Sequence, residues 1–164
     1  MREEKQGLSC PSAQPDMEGA RVFGIIGGSV EEPRVAYLKK GAAVGPSVLK
    51  KLANVQPTHV FRFSAKCEER RCAHFNGQRC TLAQRIVEQL DPVVDTLPPC
   101  LVRPTCRWFA EGGAEACHRC PQVVTLIPKS DDKLNQAARV DPLTAVTTEN
   151  CDRQSNPCLG KDSA

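Results

Sequence analysis

Short apolar runs separated by turn-forming residues predict β-strands in the first half of the chain. The runs at 21–26 and 34–38 are apolar and partly β-branched, and glycine or proline bounds each of them. The connection at 29–32 is short enough for the two runs to pair as a hairpin. A third run, 59–63, alternates apolar and polar side chains and leads directly to Cys67. The N-terminal part is therefore predicted to be rich in β-structure.

Apolar residues recur every three or four positions in the second half, which predicts helices there. Thr81 opens a capping-box pattern, and the apolar residues after it share one helical face until Asp91 and Pro92 end the pattern. Residues 107–116 predict another short helix, which a pair of glycines weakens. Pro46 suits the first position of a helix that follows the predicted hairpin.

The aromatic residues mark the expected extent of the fold, because all seven lie inside residues 20–127. Residues 1–19 and 128–164 have none, and they are predicted to be disordered tails, apart from one helical turn near 134–139. We therefore expect a small α+β protein with a single folded domain at 20–127. In it, a β-rich N-terminal part is followed by a cysteine-rich part made of helices and loops.

Composition and charge exclude several classes of protein. No apolar run approaches the roughly 18 residues of a membrane span. The formal net charge of +3 is too balanced for a chain that wraps nucleic acid, so nucleic-acid binding has only weak support. The chain opens with Met1 and a polar segment that does not resemble a secretory signal. A cytoplasmic location is therefore expected, and a secreted disulfide framework is the less favoured alternative.

The chain contains ten cysteines among its 164 residues, and most of them are clustered. Seven lie between positions 67 and 120, namely Cys67, Cys72, Cys80, Cys100, Cys106, Cys117 and Cys120. In a reducing compartment, clustered cysteines are metal ligands or catalytic thiols more often than disulfides. These seven are therefore predicted to contain a metal site. Cys10, Cys151 and Cys158 are interpreted as incidental thiols of the tails.

The spacing of these seven cysteines favours an iron–sulfur cluster over zinc. Structural zinc sites usually use two close ligand pairs, and only Cys117 and Cys120 form such a pair. The other spacings are irregular, as for a cluster that takes thiolates from separate loops. We expect one [4Fe–4S] cluster with spare thiols. Two four-ligand sites, built from all seven cysteines and either His74 or His118, are the alternative arrangement.

An Asn76–Gly77 turn signal lies between Cys72 and Cys80. A regular two-residue hairpin at this turn would point the two thiols to opposite faces. Both can therefore bind one metal site only if the segment forms an irregular loop.

The function expected from these patterns is that of a small cytoplasmic iron–sulfur protein, active in electron transfer, redox sensing or as an accessory to a metalloenzyme. Such a role implies a protein redox or pathway partner and no membrane. The alternative is a zinc-stabilised module that binds protein or nucleic acid. A dithiol redox motif at Cys117 and Cys120 would leave the other five clustered cysteines unexplained. No substrate pocket is legible, so the sequence assigns no enzymatic activity.

Overall fold

The computed structural model describes residues 7–29, 31–51, 54–123 and 132–139. These residues form a four-stranded antiparallel sheet in the order β1-β4-β2-β3, accompanied by helices, so the α+β class is confirmed. The strands are β1 (Ser9–Cys10), β2 (Arg21–Gly28), β3 (Pro33–Ala43) and β4 (Phe61–Lys66). The helices are α1 (Pro46–Lys51), α2 (Pro57–Val60), α3 (Thr81–Gln89), α4 (Arg107–Arg119) and α5 (Asp132–Ala138).

The predicted hairpin is confirmed, because β2 and β3 pair antiparallel up to the Gly28–Pro33 pair. Gly28 has a positive φ of 80°, and a Cβ there would lie 2.1 Å from the carbonyl oxygen of Glu32. Only glycine fits this tight connection. The third predicted strand begins later than expected, at Phe61, because Pro57 starts the short helix α2.

The expectation of a disordered N-terminal tail is wrong for residues 7–19. Cys10 in β1 pairs with Ala65 in β4, and the backbone amide of Ala13 donates a hydrogen bond to the carbonyl of Phe63 at 3.2 Å. Ala13 is fully buried. The edge of β4 supplies the hydrogen-bonding partners that this segment needs, so its order depends on contacts distant in sequence.

Helix α3 confirms the predicted helix after Thr81, but its start differs from the capping box. Cys80 is the N-cap residue, and the hydroxyl of Thr81 donates to the carbonyl of His74 at 3.0 Å. Because that hydroxyl is already used, it does not cap its own helix. The helix ends at Gln89, just before Asp91 as expected.

Helix α4 is interrupted at its glycine pair, where the sequence predicted a weak helix. The backbone of Gly113 leaves the helical region, with φ 59° and ψ −148°, and kinks the helix. Gly112 faces α3, and a Cβ there would lie 3.1 Å from Val87. The two glycines therefore serve different purposes, since one allows the kink and the other allows close helix packing.

Helix α5 extends the packed structure beyond the expected boundary at residue 127. It confirms the predicted helical turn, and its Leu134 and Ala137 are buried in the core that also contains Trp108. Arg85 on α3 donates to the carbonyl of Ala137 at 2.7 Å. The rest of the predicted C-terminal tail, with Cys151 and Cys158, lies outside the described residues. Within the described ranges, no helix is both long and apolar enough to cross a membrane.

Candidate metal centres

The fold sorts the eight described cysteines, all free thiols, into two groups of four. We call Cys100, Cys106, Cys117 and Cys120 the cavity group, and Cys10, Cys67, Cys72 and Cys80 the sheet group. Electrostatic interactions between thiols link the members within each group. The seven predicted site residues are therefore divided between two places, and Cys10 joins them as the eighth.

The cavity group is assembled around helix α4. Cys100 and Cys106 lie on either side of the 3₁₀ turn Arg103–Thr105, and Cys106 is the N-cap of α4. Cys117 lies in the last turns of α4, and Cys120 begins the 3₁₀ turn that follows. The Gly113 kink separates the part of α4 that follows Cys106 from the part that carries Cys117. After the kink, the end of the helix comes close to Cys106 at its start, so that Cys106 and Cys117 line one cavity.

All four thiols of the cavity group line one small cavity that is partly open to solvent. Aromatic walls come from Phe23, Tyr37 and Trp108, and Arg103 supplies a charged wall. Trp108 is only 2% exposed and therefore also belongs to the core. The cavity thus combines four thiols with a mostly apolar lining.

Burial and nearby backbone amides have opposite effects on the pKa of two thiols of the cavity group. Burial raises the pKa of Cys106 to about 12, and hydrogen bonds from the backbone of Phe109 and Trp108 act in the opposite direction. Burial likewise raises the pKa of Cys100, opposed by the backbone of Val102. Without a metal these thiols stay protonated near neutral pH. The amides nevertheless favour the thiolate that a metal would bind.

Two arginines serve the other two thiols of the cavity group. Arg103 hydrogen-bonds to the thiol of Cys117, and Arg62 donates to the Sγ of Cys120 at 3.4 Å. The Nε atoms of both arginines are buried, and neither has a hydrogen-bond partner within the described ranges. The sulfides of an iron–sulfur cluster accept such hydrogen bonds. The cavity group therefore brings four thiols and two arginine side chains to one cavity.

The sheet group joins the end of the sheet to the start of α3. Cys10 lies in β1, Cys67 follows β4, and Cys80 is the N-cap of α3. Between Cys72 and Cys80 the chain makes two successive turns, closed by hydrogen bonds from the amide of Phe75 to the carbonyl of Cys72 at 3.0 Å and from the amide of Asn76 to the carbonyl of Arg79 at 3.2 Å. A single bridge pairs Phe75 with Cys80, and the Asn76 side chain accepts backbone hydrogen bonds from Gln78 and Arg79. This is the kind of loop that allows both thiols to face one site.

Both histidines proposed as additional ligands are engaged in other contacts. The Nδ1 of His74 lies 3.1 Å from a guanidinium nitrogen of Arg85. The Nδ1 of His118 lies 3.9 Å from Glu115, and its carbonyl accepts the amide of Val93. In the part of the chain that the structure describes, no three His, Cys, Asp or Glu side chains converge as a single metal ion requires.

Sequence reasoning missed Cys10 and Arg62. Cys10 lay in a segment expected to be a tail, and Arg62 lay among apolar residues that predicted only a strand. The one available signal was a charged residue within an apolar strand, because a buried charge requires partners. The sequence does not show which residues those partners are. The chain matches no protein-family model, and no curated protein or solved structure shows significant similarity to it.

Proposed function

We propose that this protein is a small iron–sulfur protein, in which the cavity group binds one [4Fe–4S] cluster. The observation that carries the proposal is that Cys100, Cys106, Cys117 and Cys120 line a single cavity. A bound cluster supplies one-electron redox chemistry. The role is electron transfer, redox sensing or an accessory step for a metalloenzyme. Free thiols in the described residues support the cytoplasm as its location.

The arrangement of the thiols around a cavity supports a cluster over zinc. Zinc–thiolate bonds of about 2.3 Å hold four sulfur atoms only about 4 Å apart around one ion. A cube of iron and sulfide separates its four thiolates further, because each thiolate binds a different corner. Among the described residues, no three ligand side chains converge on one point, so four thiols placed around a shared cavity suit the cube better than the ion.

The charges near the cavity support the same proposal. A [4Fe–4S]²⁺ core with four thiolates has a net charge of about −2. Arg62 and Arg103 both hydrogen-bond to thiols of the cavity group, and each brings one positive charge. These two side chains therefore balance the charge of the bound cluster and stabilise it in a partly apolar site.

The cavity walls give this chain control over the properties of a bound cluster. Phe23 and Trp108 limit the access of water, while the guanidinium of Arg62 donates to the sulfur of Cys120. Hydrogen bonds to sulfur and exclusion of solvent are the main ways in which a protein sets a cluster's reduction potential. A protein partner would exchange electrons through the open side of the cavity.

Anaerobic purification of the full chain tests the proposal. We expect a brown protein with a broad absorption band near about 400 nm and iron and sulfide in equal amounts. Cys100→Ser and Cys117→Ser should each remove the cluster of the cavity group, while Cys158→Ser, the matched control outside both groups, should leave it. A colourless protein that contains stoichiometric zinc would overturn the proposal in favour of the zinc-stabilised module.

A further inference from the structure

We infer that the sheet group, Cys10, Cys67, Cys72 and Cys80, is a second iron–sulfur site, so that the protein holds two clusters. The identity of the metal centre rests on the proposed function, whereas its position rests on the sheet group's own contacts. Cys10 is thereby assigned as a ligand, and this thiol lies outside the segment in which the other seven are clustered.

The register of the sheet brings the first two ligands together. Cys10 pairs with Ala65, and the amide of Cys67 donates to the carbonyl of Leu8 at 2.8 Å, which continues the same ladder. Side chains at 65 and 67 share one face, because residues two apart in a strand do so. Cys10 and Cys67 are therefore diagonal neighbours on that face, at a Cβ separation of about 7 Å. Such a spacing suits two corners of a cluster.

The N-terminus of α3 provides the third ligand. Burial raises the pKa of Cys80 to about 11, and hydrogen bonds from the backbone of Ala83 and Leu82 oppose this rise. These amides belong to the first turn of the nine-residue helix that Cys80 caps. The position of Cys80 at the N-cap places its thiol near the positive end of the helix dipole. The same arrangement occurs at Cys106, where α4 begins.

Cys72 completes the set of four. Its thiol and that of Cys10 each receive a backbone hydrogen bond. Burial raises the pKa of both thiols, and the amides of His74 and Ser12, respectively, act against this rise. Amides two residues beyond a cysteine, directed at its sulfur, favour the thiolate form. Three of the four sheet-group thiols are thus prepared by backbone donors for a metal.

A buried arginine serves the fourth thiol and points independently to a ligand. Arg107, with a side chain only 9% exposed, hydrogen-bonds to the thiol of Cys67. Glu69 and Glu111 hold its guanidinium at 2.6 and 3.1 Å, and the ring of Phe75 lies 5.3 Å away. Its Nε is buried, with no hydrogen-bond partner among residues the structure describes. Arg107 thus lies beside the sheet group with its charge paired to two carboxylates, whereas Arg62 bonds to two carbonyls and a thiol of the cavity group.

The two groups lie close together. Ser9 and Cys106 form an isolated parallel bridge. Beside it, the hydroxyls of Ser9 and Thr105 share a hydrogen bond of 3.1 Å. Because Ser9 precedes Cys10, the Cα atoms of Cys10 and Cys106 lie within roughly 9 Å of each other. Two clusters held here would exchange one electron directly, one being oxidised as the other is reduced.

Iron and sulfide analysis of matched variants tests this inference. We expect about eight iron atoms per chain in the native protein and about four in Cys10→Ser, Cys72→Ser, Cys100→Ser and Cys117→Ser. Four iron atoms in the native protein, unchanged in Cys10→Ser and Cys72→Ser, would overturn the second site and leave the proposed function intact. Zinc bound in place of the second cluster would overturn it as well. A native protein without iron would overturn both.

Electron paramagnetic resonance provides a test that does not depend on variants that fold. After reduction of the native protein with dithionite, two neighbouring one-electron-reduced clusters should integrate to about two spins per chain. Their magnetic interaction should broaden the signal. An unbroadened signal that integrates to one spin, with both iron equivalents present and fully reduced, would contradict the inference.

Discussion

Arg62 and Cys120 are joined by two hydrogen bonds from one guanidinium group, to the carbonyl oxygen of Cys120 at 2.7 Å and to its Sγ at 3.4 Å. A third bond reaches the carbonyl of Pro11 at 3.0 Å. Arg62 is 1% exposed and lies in β4. One buried side chain therefore connects the segment after Cys10 to the last cysteine of the cavity group.

Replacing Arg62 with methionine should destabilise the protein by about 2–4 kcal/mol, because two buried carbonyl oxygens lose their partner. Urea denaturation followed by circular dichroism measures this change. Arg34→Met is the matched control, since Arg34 is exposed and pairs with exposed Glu32. The control should change stability by less than about 0.5 kcal/mol. Equal effects of the two substitutions would contradict the structural role of Arg62.

Lysine at position 62 separates charge from geometry. Arg62→Lys keeps one positive charge near the cavity group but lacks the planar fork that reaches Pro11 and Cys120 together. We expect it to recover less than half of the stability lost in Arg62→Met, as judged by the urea midpoint. Complete recovery would mean that charge alone, and not the forked hydrogen bonding, makes Arg62 important.

Alanine at Gly113 should strain the kink in α4. The φ of 59° with ψ of −148° belongs to a region that only glycine adopts readily, so Gly113→Ala should cost about 1–3 kcal/mol. Gly27→Ala is the control, because Gly27 has open space around it and an ordinary φ. Thermal unfolding compares the two variants. Iron content should fall only in Gly113→Ala, since the kink determines where Cys117 lies.

Removing the large aromatic wall of the cavity should have two effects. Trp108→Ala should destabilise the protein by about 3–5 kcal/mol, as is usual for a buried aromatic residue. The bound cluster should also bleach faster in air, because the change opens the cavity to solvent. Leu101→Ala, at a residue that is 40% exposed, is the control for both measurements. Unchanged bleaching in Trp108→Ala would contradict the shielding role.

Anaerobic removal of iron by a chelator should lower the thermal midpoint of the full chain. A metal that binds the folded state but not the unfolded one stabilises the fold by mass action. The fall should be smaller in Cys100→Ser, which has already lost the cluster of the cavity group. If the chelated native protein unfolds at the same temperature as untreated Cys100→Ser, the second cluster contributes nothing to stability.

Local patterns predicted the elements whose causes are local. The β2–β3 hairpin depends on a glycine at position 28, and α3 depends on an apolar stripe, and both can be read from neighbouring residues. The capping residue of α3 could not be predicted, because the hydroxyl of Thr81 is drawn to His74 by the loop that precedes it.

The candidate site shows the same limit at longer range. The count and clustering of cysteines predicted seven of the eight grouped thiols, but no spacing along the chain divides them into two sets. That division depends on the pairing of β1 with β4, which brings Cys10 to Cys67 across more than fifty positions. A strand of two residues is too short for any periodicity to reveal it.

The shortness of β1 has a consequence for how firmly the N-terminal segment is held. Two paired residues provide little cohesion of their own, and a ligand bond at Cys10 would anchor this strand far more firmly. Docking of the N-terminal segment and loading of the sheet group are then a single equilibrium. In chains without a bound cluster this segment should be released first, and limited proteolysis should cut there sooner than in the loaded protein.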